Sequence, residues 1–168
     1  MANVEHKISL ISGIHDLLPN RTGGAVMQKN LETLGDIQYT EEEIKFALEM
    51  QENNGKPKIG IDGKIRPLRE TLESPGGGST DVGDVSYNVP VVSLAATTAP
   101  KGVPWHSWSV VASSGMSIGH KGMLHATKAL GMTMVDIFKD ENLRKQIKKE
   151  FDERIGDYKY DPFLDPGP

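Results

Sequence analysis

Residues 76–120 read GGGSTDVGDVSYNVPVVSLAATTAPKGVPWHSWSVVASSGMSIGH, and the fold turns on how this stretch is read. Residues 85–98 are β-branched, apolar or small over most of their length, which predicts one strand with VPVVSLAATT at its heart. The small side chains of residues 93–99 predict close packing against that strand. Pro90 cannot donate to a ladder and disfavours a fully paired start. A glycine-rich turn precedes the strand. A loop bounded by Pro100 and Pro104 follows it, holding His106 between Trp105 and Trp108, and a second glycine-rich turn closes the stretch at residues 115–119.

Working outward, residues 4–14 carry Val4, Ile8, Leu10, Ile11 and Ile14 in loose alternation and predict a second strand. Asn20 is a natural N-cap for a helix through Leu34, although Gly23 and Gly24 in its first turn each cost about 1 kcal/mol relative to Ala. Thr40 with Glu43 has the form of a capping box and predicts a helix over residues 40–52. Ile59, Ile61 and Ile65 around Asp62-Gly63 fit either a small hairpin or a surface excursion. Beyond the central stretch, Leu124, Leu130, Met134 and Phe138 recur at helical spacing over residues 120–138. Asp140 caps a last helix over residues 140–155, where Leu143, Ile147, Phe151 and Ile155 stand four apart. A proline-rich tail is expected to lie over the surface. The fold class expected from these elements is α/β, a small sheet flanked by four helices.

Composition excludes several functions. The net charge of −4 over 168 residues argues against nonspecific nucleic-acid binding. With no cysteine there is no disulfide, no thiolate catalysis and no Cys-ligated zinc. The first residues show no long apolar run, so neither a signal peptide nor a membrane span is expected, and a cytoplasmic location is.

Three motifs invite chemical readings. Gly115-Met116-Ser117-Ile118-Gly119 matches the G-x-S-x-G nucleophile elbow, but that motif needs an acid and then a histidine downstream, and no histidine follows His125. A glycine-flanked helix start is the plainer reading. Residues 76–80, GGGST, lack the Lys of a phosphate loop, yet a run of small residues can offer backbone amides to a carboxylate or serve as a plain turn. His106 is the sharper candidate, since imidazole ligates metals and titrates near neutrality. A lone histidine is more often structural, and zinc wants at least three protein ligands.

Taken in order, GSTDVGDVSYNVP, GVPWHSW and IGHKGMLHATKALG resemble the C-terminal part of the M20-family metallohydrolases, in their amidohydrolase branch. SGIHDLLPN and TEEEIKFALEMQ are similar to segments that precede these in the same branch, so the resemblance runs from about residue 8 to about residue 154. It implies a partial zinc-peptidase-like catalytic domain at residues 17–168, preceded at residues 1–16 by a residual strand of a lid or dimerisation domain. It implies hydrolysis of amide bonds in N-acyl amino acids such as aminobenzoyl-glutamate, with two zinc or manganese ions polarising the carbonyl and activating a water. His106 matches a metal ligand of the family. Gly78, Ser79, Thr80 and Asp81 match a loop beside the substrate. His120 and Lys121 match a typical segment that carries no assigned role, and no residue of this chain is assigned as catalytic. The family's other ligands and its glutamate base belong to an N-terminal half with no counterpart in this sequence. The chain is therefore expected either to be an enzyme part, inactive without such a half, or to be a noncatalytic remnant. Its expected partners are the N-acyl amino acid, an N-terminal half-protein and a second copy paired through residues 4–14, with neither nucleic acid nor membrane among them.

Overall fold

A computed structural model describes residues 4–69 and 80–164. Six helices follow one another: α1 Arg21–Leu34, α2 Glu41–Asn53, α3 Val82–Ser86, α4 Trp108–Ser114, α5 Ser117–Lys139 and α6 Glu141–Ile155. Helix α5 packs against α1, α4 and α6, and α6 also packs against α1. Their core is made by Met27 of α1, Ile118 and Ala129 of α5, and Ile147 and Phe151 of α6.

The helix starts obey local chemistry. At α2 the Thr40 hydroxyl accepts from the Glu43 amide at 3.3 Å, while the Glu43 carboxylate accepts from the Thr40 amide at 2.7 Å. At α6 the Asp140 carboxylate accepts from the amides of Asn142 and Leu143. At α1 the Asn20 side chain accepts from the Gly23 amide at 2.8 Å. The Glu150 carboxylate, reaching over from α6, takes the next two free amides, those of Arg21 and Thr22, each at 2.7 Å. Burial works against ionisation of Glu150, but these donors outweigh it and hold its pKa below the usual carboxylate value.

The α/β expectation is corrected: among the described residues there is no sheet. The one β-type contact is an isolated parallel bridge between Pro19 and Val91. Residues 4–14 form no strand either, and Val4, Ile8, Leu10 and Ile11 stand in solvent. The region read as a strand at 85–98 is divided. Its start belongs to α3, held because Ser86 donates to the Gly83 carbonyl at 2.5 Å and accepts from the Leu18 amide at 2.9 Å. Residues 92–98 are irregular and mostly half-buried, with no neighbouring strand among the described residues. Residues 59–65 are an excursion rather than a hairpin, clamped by the buried Gln51. Its carbonyl accepts from the amides of Ile59 and Gly60, and its amide donates to the carbonyls of Gly60 and Lys101.

The glycine at position 23 has a packing reason. A Cβ there would stand 2.2 Å from Cγ2 of Val92, so α1 approaches residues 91–92 only because residue 23 has no side chain. Gly23→Ala is expected to lower stability despite the better helix propensity of alanine. In a Val92→Ala background the clash is gone, and the same change is expected to be neutral or to stabilise by up to about 1 kcal/mol. Urea unfolding of the four proteins checks this; a Gly23→Ala effect independent of residue 92 would contradict the packing.

Candidate functional site

His106 stands in the loop before α4 with a backbone φ of 60°. Few residues other than glycine accept that left-handed conformation, although histidine is among those enriched there. The turn is closed by the Ser107 hydroxyl, which donates to the Pro104 carbonyl at 2.5 Å. It is anchored by buried Val103 on one side and by buried Ser109 on the other, whose hydroxyl donates to the Asn54 side-chain oxygen at 3.1 Å. His106 itself is exposed, as are Trp105 at 70% and Trp108 at 61%. The tryptophans therefore do not give the imidazole the dry setting their apolar bulk suggested, because nothing among the described residues covers them.

Of the loop expected beside the substrate, Gly78 and Ser79 lie outside the described residues. Thr80 and Asp81 are exposed at the start of α3, where the Thr80 hydroxyl accepts from the Val82 amide at 3.3 Å. Among the described residues no three His, Asp or Glu side chains converge as a metal ion would require. His120 and His125 lie on α5, the first exposed and the second half-buried.

Beside the extended segment runs a groove of about 650 Å³, walled by α1, by residues 62–69 and by residues 93–103. His125 and Trp105 line it; His106 does not. The backbone along this wall is open. Among the described residues no amide from residue 92 to 99 donates a hydrogen bond, whereas the Thr97 carbonyl is approached closely by Gly122. Amides without an acceptor among the described residues leave this segment open to pairing with another.

Lys121, left without a role by the sequence, is a structural residue. Its ammonium meets the Glu43 carboxylate at 2.6 Å and the Gln38 carbonyl at 2.9 Å, joining α5 to the start of α2. Ser117, the serine of the G-x-S-x-G match, is the first residue of α5, and its hydroxyl favours ionisation of the same carboxylate. Burial pushes the Glu43 pKa up, but Lys121, Ser117 and the Thr40 amide together pull it down to about 2. The nearby Tyr39 hydroxyl is raised to about 12, first by its partial burial and then by the charges of Glu43 and Asp62.

A second polar cluster gave no signal in the sequence. His15 Nδ1 lies 2.7 Å from an Asp84 carboxylate oxygen, and its Nε2 lies 2.7 Å from the Tyr158 hydroxyl. Phe163 stacks on the ring at 4.3 Å and Tyr160 packs beside it, so the C-terminal tail does lie over the surface, here against residue 15. With both ring nitrogens engaged, His15 ties the tail to α3. Hydrogen bonding to His15 holds Asp84 below the ordinary aspartate pKa.

Comparison with known proteins gives one relationship. The chain is homologous to an amidohydrolase. The relative is one of the subunits of the p-aminobenzoyl-glutamate hydrolase of Escherichia coli (strain K12), 33% identical over an alignment of 157 residues that covers 79% of this chain. The chain spans only 33% of that relative's length. No family model matches the sequence, and no solved structure matches it. No helix among the described residues is long and apolar enough to cross a membrane.

The Glu43 node sets a pH dependence. A carboxyl held at about 2 in the folded chain, against an ordinary 4.5, stabilises the fold above pH 4.5. That contribution is lost progressively as pH falls from 4.5 toward about 2. Glu43→Gln is expected to lower stability at pH 7 by about 2 kcal/mol, below the usual cost of breaking a buried pair because Lys121 can rehydrate. The deficit should shrink as pH falls through that window; an equal deficit at pH 7 and pH 3 would contradict the account.

Proposed function

We propose that this chain is one part of an M20-type amidohydrolase that cleaves the amide bond of N-acyl amino acids such as aminobenzoyl-glutamate, and that it works only with a second part. The observation that carries this reading is the open backbone of residues 92–99 beside the groove, in a chain that spans one third of its hydrolase relative. A half-buried segment whose amides donate no hydrogen bond among the described residues is a surface left for another polypeptide segment to cover.

The donor set of the described residues does not fit a pair of zinc or manganese ions. His106 is one imidazole, Asp81 one carboxylate at the start of α3, and no third group joins either. No catalytic step is therefore assigned to this chain alone. Its residues contribute a strained, exposed imidazole at 106 and, at Thr80 and Asp81, part of a wall that would meet the substrate. Backbone strain of order 1–3 kcal/mol persists where the surroundings enforce it and is concentrated at functional sites, which supports His106 as the residue with a task. The absence of cysteine from the sequence accords with work in a reducing cytoplasm.

The isolated chain is expected to show no hydrolysis of aminobenzoyl-glutamate and only weak zinc binding by calorimetry. Coexpressed with the unmatched two-thirds of the E. coli relative, it is expected to give turnover that His106→Ala abolishes. Turnover by the isolated chain, or tight stoichiometric zinc binding that His106→Ala removes, would overturn the two-part reading. A folded pair of parts that binds zinc and never turns over would favour a noncatalytic remnant instead.

A further inference from the structure

Helix α5 is long and rich in apolar residues, and among the described residues it is covered on one side only. Ile118, Gly122, Ala129 and Thr133 form its buried side, against α1 and residues 97–98. On the other side Met123, Leu124, Leu130, Met134, Val135 and Phe138 stand exposed, by 43% at least and 76% at most. At 100° per residue these six fall on one continuous arc, and the cations Lys121, Lys128 and Lys139 gather on a separate flank. An exposed apolar area on the order of 500 Å² is more than an ordinary surface scatter and marks an interaction site.

Two further features say what kind of site it is. With its polar flank already supplied by the three lysines, α5 still carries an apolar arc opposite its buried side, broken only by His120 and Thr127. That is more than a surface helix needs, and it marks a face for a larger body to cover. Gly131 lies within the exposed arc, where a Cβ would meet nothing within 4 Å. Nothing among the described residues accounts for that glycine, which costs its helix about 1 kcal/mol relative to alanine. Close approach of another backbone at this point does account for it.

We propose that the exposed face of α5 docks on the part of the hydrolase that this chain lacks, the polypeptide equivalent to the remaining two-thirds of the E. coli relative. The inference rests on the two-part reading above and names the surface that joins the parts. The relative's length decides between occupants: it continues for about twice the length matched here, enough to supply a facing apolar layer. The same unmatched portion could also cover residues 92–99, so one partner would meet both the unpaired amides and the bare helix face. A second copy of this chain is the competing occupant, and dependence on its concentration separates the two.

The chain has no cysteine, so a single introduced thiol reports on one position. Met134→Cys, at an exposed site, is made in the isolated chain and in a chimera where this chain replaces the matched third of the E. coli relative. Lys145→Cys on α6, whose side chain is 70% exposed, is the control. Maleimide labelling is followed by mass spectrometry on the peptide that carries each thiol. In the isolated chain both positions are expected to label fast. In the chimera the thiol of Met134→Cys should label more than about tenfold slower while that of Lys145→Cys is unchanged. Leu124→Cys on the same face should repeat the pattern of Met134→Cys. Fast labelling at position 134 in a folded chimera overturns the proposal, and so does a chimera that cannot fold, because the chain then does not fit the remainder. Slowing in the isolated chain that grows with its concentration assigns the face to a second copy and likewise overturns it. No turnover is read here, so protection without activity would leave docking intact and count against the catalytic reading alone.

Discussion

The side chain of Asn20 holds three parts of this molecule in register. Its oxygen caps α1 through the Gly23 amide, its nitrogen donates to the Ile147 carbonyl of α6 at 2.9 Å, and its own backbone amide donates to the Val91 carbonyl at 3.0 Å. Asn20 is almost fully buried, so each of these bonds replaces a water contact that folding removed. Glu150 and Arg154 of α6 reinforce the junction, the first at the α1 amides and the second at the Pro19 carbonyl. The start of the segment that follows Val91 is thus fixed relative to two helices, with no strand beside it among the described residues.

The same device recurs wherever extended chain must be held without a sheet. Gln51 satisfies all four of its hydrogen-bonding positions on the loops at residues 59–60 and 101, and Asn30 ties α1 to Thr133 and Asp136 of α5. Buried amides of this kind act like fasteners. They fix segments whose backbone cannot fix itself, and no buried side-chain polar atom among the described residues is left without a partner. Among the described residues, buried side chains are therefore paired while the amides of residues 92–99 donate no hydrogen bond.

Helices were legible in the sequence because their signals are local. Asn20, Thr40 with Glu43, and Asp140 each meet an amide two or three residues away, and each caps the helix it announces. The sheet was misread for the opposite reason. Alternating and β-branched residues report that a segment is extended and half-buried, and residues 92–98 are mostly so, but a strand also needs a neighbour, which no pattern within the segment can supply. The site divided along the same line. His106 drew attention through its setting between tryptophans, yet whether those rings are covered depends on residues that do not adjoin them. Lys121 finds Glu43 at a separation of 78 residues, and His15 finds Tyr158 at 143, distances at which spacing carries no information.

We propose that the helical body carries a half-buried segment, residues 92–99, whose amides await a partner. Hydrogen exchange of the isolated chain at neutral pH tests it most directly. Amides of residues 92–99 should exchange at close to the unprotected rate despite their burial, while those in the middle of α1 and α5 are protected to the level of global unfolding. Protection of residues 92–99 equal to that of α5 would mean that the chain pairs this segment by itself, and the claim that it awaits a partner would be wrong.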